Sequence, residues 1–157
     1  MSTETRILSQ SLAEGKLPVV DALRLATNLA EALRKLHEEG RVHGALTPSK
    51  IEITASGVNL TPVQTPQRDV NPYTAPEVLR GRMADARSDI YSFGAIVYEM
   101  ITGSPLFHAA TPEALTAAVL NTPAPATGSG RLDVFSRIVW PKIPLCAGSV
   151  CKKLKWS

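Results

Sequence analysis

A chain of 157 residues has room for one domain, and with 44% hydrophobic but only 5% aromatic residues it can pack an aliphatic core, which excludes general disorder. Its formal charge of +3 is uneven: from Val134 onward there are five basic and no acidic residues, which leaves 12 basic against 14 acidic side chains in the first 133. A body with that balance, without a basic face or an aromatic stacking platform, excludes nucleic acid as the expected partner. The most apolar run, Phe93 to Ile101, is too short to cross a bilayer and carries Glu99, so no membrane partner is expected either.

No basic-then-apolar leader opens the chain, and a soluble, cytoplasmic protein is expected. Pro18 to Gly40 is predicted as an amphipathic helix, because Val19, Leu23, Ala26, Ala30, Leu33 and Leu36 recur at three- and four-residue steps. Pro18 suits its first turn and Gly40 its stop. Ile51 to Leu60 alternates apolar and polar residues about a Ser56-Gly57 turn, the pattern of a short hairpin. Thr61 to Pro72 holds three prolines and is predicted as a loop. Ser88 to Thr102 is predicted as a second helix, with Ser88 as cap, Asp89 in the first turn and Gly103 as stop. It is apolar around most of its circumference and belongs at the centre of a core. Thr111 caps a third predicted helix, which has Pro112 at its first position. "NTPAPATGSG" is a linker by composition, and "RLDVFSRIVW" can begin a further helix. The remaining basic tail is expected to be solvated, although such a tail can touch nucleic acid or anionic lipid. Its Cys146 and Cys151 form a C-x4-C pair with no histidine nearby, which fits no strong zinc pattern. Two free thiols are expected there, with a disulfide left open.

Three stretches in this order resemble the C-terminal lobe of a bacterial-type Ser/Thr protein kinase. "LRKLHEEGRVHGALTPSKIEIT" resembles the helix, catalytic loop and hairpin that in the family read L-x-x-x-H-x-x-G-x-V-H-R-D-L-K-P-x-N-I-x-x-T. "YTAPEVLRG" resembles the end of the activation segment, with Ala75, Pro76 and Glu77 as A-P-E. "SDIYSFGAIVYEMITGSPLF" resembles the central helix with its S-D-x-[WY]-S-x-G, here Asp89 and Gly94. The resemblance runs from about residue 4 to about residue 120. It implies a kinase C-lobe-like unit over 1–120, followed by a linker and unmatched tail over 121–157. The implied fold is mainly α: a helical subdomain with a short β-hairpin and no N-lobe. Neither a Gly-rich G-x-G-x-x-G nor a V-A-I-K strand occurs in the sequence.

The resemblance also assigns positions within the loop. The catalytic Asp falls on Ala45, the Mg-binding Asn on Lys50, the loop Lys on Thr47, and the Arg before the base on Gly44. With a one-residue gap, the metal-binding Asp of D-F-G falls on Pro62; Asp69, seven residues on, is a poor substitute. His43, Leu46 and Pro48 keep the loop's packing residues. Asp89 implies a hydrogen bond from the central helix to the loop backbone. Glu77 implies a pair with a downstream Arg that follows a K-D-P motif, and no such motif occurs here. The tail from Trp140 matches nothing in the family, and a shifted reading frame is one origin for it.

The expected function is therefore non-catalytic: a degenerate, pseudokinase-like C-lobe, either a protein-interaction module or a degraded kinase fragment. No catalytic residue, cofactor or metal site is expected. A protein partner that the sequence does not name is expected, with self-association as one form, since the central helix is apolar on nearly every side. The alternative is a kinase fragment that uses ATP and Mg with an N-lobe from another chain. A decayed gene product is the third reading.

Overall fold

The structure is a computed structural model and describes residues 5–63 and 69–122. The linker from 123 on, the basic tail and its two cysteines lie outside the described residues. A short strand, β1 (Arg6–Ile7), leads into α1 (Leu8–Ala13), and the long helix α2 (Val19–Glu38) follows. A 3-10 turn over Pro48–Lys50 opens the hairpin of β2 (Ile51–Thr54) and β3 (Gly57–Leu60). After the loop come α3 (Pro76–Leu79), α4 (Ala86–Thr102) and α5 (Pro112–Asn121). The chain is mainly helical, with one small antiparallel sheet in the order β1-β2-β3. β1 and α1 were not foreseen; a two-residue strand is too short for alternation to reveal. Among the described residues no helix is long and apolar enough to cross a membrane.

Helix α2 starts and stops near the expected places, with small differences. Pro18 is the N-cap, one residue before the first turn. The C-terminus closes in a Schellman pair: Gly40 N–H donates to His37 O and Arg41 N–H to Leu36 O. Lys35 and His37 lie in the last turn, where the helix dipole favours positive charge. The buried face is only partly the expected one: Ala26 and Leu33 are buried as expected and Leu36 is half-buried. Ala22, Ala26, Leu29 and Leu33 face the core, whereas Val19 and Leu23 are about half exposed and Ala30 is exposed. Both sets recur at helical steps, so periodicity alone could not choose between them.

The hairpin pairs Ile51 with Leu60 and Ile53 with Val58, which puts four apolar side chains on one face against α2. Its turn is Ala55-Ser56, and Gly57 already belongs to β3. Helix α4 begins two residues earlier than expected, and Ser88 is not its cap. Asp85 is: its carboxylate accepts from Arg87 N–H and Ser88 N–H, and the Ser88 hydroxyl accepts from Asp85 N–H. This reciprocal capping box is built by S/T/D/N at the cap with a polar residue three later. Asp85 and Ser88 meet that spacing, but no glutamate or glutamine marks the third position. Gly103 ends the helix at φ 79°, in the left-handed region. A Cβ there would come within 3.1 Å of the Lys16 backbone nitrogen, so the position needs glycine twice over. Thr111 caps α5 through Ala114 N–H, with Pro112 at its first position.

Helix α4 is the shared wall of two apolar clusters. Ile96, Val97 and Met100 pack with Leu29 and Leu33 of α2, Leu8 of α1, and Leu46 and Ile51. Tyr91 and Ala95 pack with Phe107, Leu115 and Val119. Burying each large aliphatic side chain is worth about 1.5–3 kcal/mol, which makes α4 the main holder of the fold. Leu17 N–H donates to Met100 O, clipping the approach to α2 onto the end of α4. The start of α4 depends in turn on its cap. Asp85→Ala is expected to cost about 1 kcal/mol and Asp85→Asn only a few tenths, measured by urea unfolding. Equal losses in the two variants would show that the carboxylate does not cap the helix.

Candidate functional site

Asp89 sits in the first turn of α4 and is 1% exposed. A buried carboxylate is costly unless its oxygens are bonded. Here three donors reach it. His43 N–H and His37 Nε2–H donate to Oδ2, each at 2.8 Å. Gly44 N–H donates to Oδ1, also at 2.8 Å. One side chain thus joins the last turn of α2, the loop after it and α4. His37 is the partner that sequence reasoning missed. It stood in the quoted pattern without a role, and its place in a helix's last turn was the only local sign.

The loop takes its shape from that tie. Gly44 lies at φ 74°, where a residue with a side chain is strained, and this turn of the backbone brings both N–H groups onto one carboxylate. Leu46 and Pro48 are buried, and Leu46 packs in the core cluster of Ile51 and Ile96. Ala45, Thr47 and Lys50 are half-buried. The Thr47 hydroxyl lies 2.9 Å from that of Ser49. His43 is 9% exposed, and its Nε2–H donates to Thr61 O at 3.0 Å. Thr61 N–H in turn donates to Lys50 O. So His43, Lys50 and Thr61 meet, and the exposed Pro62 follows at once. Asp69 is exposed, and its main-chain oxygen is held by Asn71 and Thr74 in the turn before Ala75.

The positions matched to metal ligands and base offer a methyl group (Ala45), an ammonium (Lys50) and a pyrrolidine ring (Pro62). Mg²⁺ takes oxygen ligands, and none of these side chains has one. Among the described residues no three His, Cys, Asp or Glu side chains gather where they could hold a metal ion.

Ala75 caps α3 and Pro76 opens it, both buried. The Glu77 carboxylate accepts from the Ser88 hydroxyl at 2.6 Å, so the glutamate is joined to the capping box of α4. Burial, and then the Glu77 charge, push the Tyr91 phenol above its ordinary range. Tyr73 is tied to the same helix twice: its hydroxyl donates to Glu99, and its carbonyl accepts from the Ser92 hydroxyl. Gly94 lies buried midway along α4.

Removing the Asp89 carboxylate orphans two loop N–H groups at about 1–3 kcal/mol each. Asp89→Ala is therefore expected to lose about 3 kcal/mol or more in urea unfolding, and Asp89→Asn about half of that, since one oxygen still accepts. A loss under a few tenths in both would mean that the tie is not made. His43 adds a pH dependence. Burial holds its pKa below the ordinary histidine value, and the Lys50 charge adds to this, against the Thr61 carbonyl and the Asp89 charge. With Nε2 protonated, Nδ1 is buried with no hydrogen-bond partner among the described residues. The unfolded chain takes up this proton near pH ~6.5 and the folded chain only below it. Stability from this group is full above about pH 6.5 and is lost as pH falls toward the folded value. His43→Gln is expected to flatten that acid-side loss, measured by urea midpoints on either side of about pH 6.5; an unchanged slope would assign the loss to other groups.

This geometry can be set beside known proteins. The family model described as "Protein kinase domain" matches residues 3–129. The probable serine/threonine-protein kinase PknB of Corynebacterium glutamicum is 35% identical over 118 residues, covering 65% of this chain and 18% of that protein. Serine/threonine-protein kinase PksC of Streptomyces coelicolor is 32% identical over 123 residues, covering 65% and 21%. Integrin-linked protein kinase 1 of Arabidopsis thaliana is 31% identical over 122 residues, covering 64% and 26%. The chain thus spans about a fifth to a quarter of the length of these curated relatives. With the family model matched over most of its length, the chain belongs to the protein kinase domain family.

Proposed function

We propose that this chain is a non-catalytic member of the family, a C-lobe-like module that works in the cytoplasm by binding protein. The observation that carries this reading is the contrast within one loop. Its framework is tied by Asp89 to His43 and Gly44, while Ala45, Lys50 and Pro62 stand where the base and the metal ligands would be. Phosphoryl transfer is catalysed by positioning and electrostatic stabilisation. A general base contributes roughly 10²- to 10⁴-fold, and the metal ligands hold the charge that neutralises the phosphates. A loop without either retains shape and loses chemistry. Shape is what a binding module needs.

Two measurements test the reading. Nucleotide at 100 times its dissociation constant stabilises a binder by about 2.7 kcal/mol. Millimolar Mg-ATP is expected to leave the melting temperature unchanged; a shift that vanishes when Mg²⁺ is removed overturns the proposal. Radiolabelled phosphate transfer to a basic substrate, with and without a kinase N-lobe added in trans, is expected to read zero for the unmodified chain. Restoring Ala45→Asp, Thr47→Lys, Lys50→Asn and Pro62→Asp together is still expected to give no transfer alone. Orientation of bound nucleotide supplies roughly 7–11 kcal/mol of barrier lowering, and these four side chains do not provide it. Transfer by the unmodified chain in any arm sinks the non-catalytic reading and favours the kinase-fragment alternative.

A further inference from the structure

The small sheet ends in two edges that differ. At one, β1 is two residues long and carries the charge of Arg6. At the other lies β3, Gly57–Leu60, with no charged residue, no proline and an unbroken register to β2. Charges, prolines and bulges are the usual guards of a sheet edge, and β3 has none of its own. The register shows which groups it leaves open. Thr61 N–H donates to Lys50 O at 2.9 Å, and Ile51 stands opposite Leu60. Bonded and non-bonded pairs alternate along an antiparallel ladder. Gly57, Asn59 and Thr61 therefore turn their N–H and C=O groups toward β2, and Val58 and Leu60 turn theirs away. Those two N–H and two C=O groups have no hydrogen-bond partner among the described residues. They border a groove of about 420 Å³ between β3 and α2, lined on the helix side by Asn28, Ala32 and Leu36.

We propose that β3 is a docking edge whose occupant is an extended segment of a partner protein, added alongside β3 to the three-stranded sheet. The proposal rests on the reading of the chain as a binding module. The chemistry of the occupant follows from the edge. Its donors and acceptors recur at every second residue, roughly 7 Å apart, and the main chain of another strand repeats at the same interval. Strand addition of this kind draws affinity from main-chain bonds and specificity from alternate side chains. Val58 and Leu60 pack against the core cluster, so residues of the added strand on that face lie toward Ala32 and Leu36 of α2 and are apolar. Those on the other face lie beside the exposed Asn59 and are polar. The charges along the groove are already compensated, since Lys35 pairs with Glu31 and Arg41 with Glu39. The segment that fits alternates apolar with uncharged polar residues.

The phosphotransfer assay on the same preparations reports separately on the non-catalytic reading, since Ala45, Lys50 and Pro62 lie outside β3. The edge itself is tested with the full chain and a displayed library of random peptides. Selection is expected to enrich peptides that alternate apolar and polar residues. Their binding is expected to slow hydrogen exchange at the Val58 and Leu60 amides, which exchange readily in the chain alone. Val58→Pro removes one outward donor and no bond to β2, a change that edge strands tolerate. It is expected to weaken binding about tenfold, the worth of one hydrogen bond, in a chain whose circular dichroism is unchanged. Selected peptides N-methylated at every second residue leave the protein untouched: methylation in one phase is expected to abolish binding, and in the other to spare it. Peptides that tolerate both phases, or that leave the two amides exchanging, overturn the proposal. So does a library that yields no peptide specific for the chain. Val58 and Leu60 amides already protected in the chain alone overturn it as well: protection that fades on dilution puts a second copy on the edge, and protection that persists puts the chain's own residues there.

Discussion

A carboxylate that is 1% exposed has to be satisfied where it lies, and the arrangement around Asp89 follows from that requirement. Its two oxygens take the N–H groups of His43 and Gly44 and the ring of His37. Meeting that demand bends the loop through the left-handed Gly44, seats Leu46 in the core and brings His43 within reach of Thr61. The end of α2, the loop and the start of α4 are thereby held in one relation. The same helix start is held from its other side, where Ser88 joins the capping box of Asp85 to Glu77. Three acidic side chains, Asp89 buried, Glu77 half-buried and Asp85 exposed, are therefore all engaged at the start of α4.

This arrangement separates two jobs that one loop can carry. Packing and backbone bonding fall to His43, Leu46, Pro48 and Asp89. The positions matched to base and metal ligands are Ala45, Lys50 and Pro62, half-buried or exposed, and the bonds of that framework run through other side chains. Substitution there changes what the loop can do without removing what shapes it. A kinase-like framework can therefore persist while the residues at those three positions change.

Much of the fold was legible in the residues. The hairpin, α5 with its Thr111 cap and Pro112, and the buried character of α4 came from alternation, caps and apolar density, all of which act within a few residues. The misreadings share one cause. Val19, Leu23 and Ala30 share the spacing of a core face with Ala26 and Leu33, but Ala22 and Leu29 combine with those two just as well, and the hairpin and α4 select Ala22, Ala26, Leu29 and Leu33. Asp85 was passed over as cap because Ser88 is also a good capping residue; the structure uses both, one as cap and one as its reciprocal partner. His37 and Ser88 gained their roles from residues 52 and 11 positions away.

By itself, then, the sequence determined the order and kind of the main elements, since caps, glycine stops and periodicity are local. It also determined the chemistry on offer in the loop, because a methyl group, an ammonium and a pyrrolidine ring cannot serve as oxygen ligands in any fold. Only the tertiary structure decided which face of α2 turns inward and which donors Asp89 and Glu77 receive. Those choices depend on distances between segments far apart in the chain, and a spacing pattern carries no information about what it will be packed against.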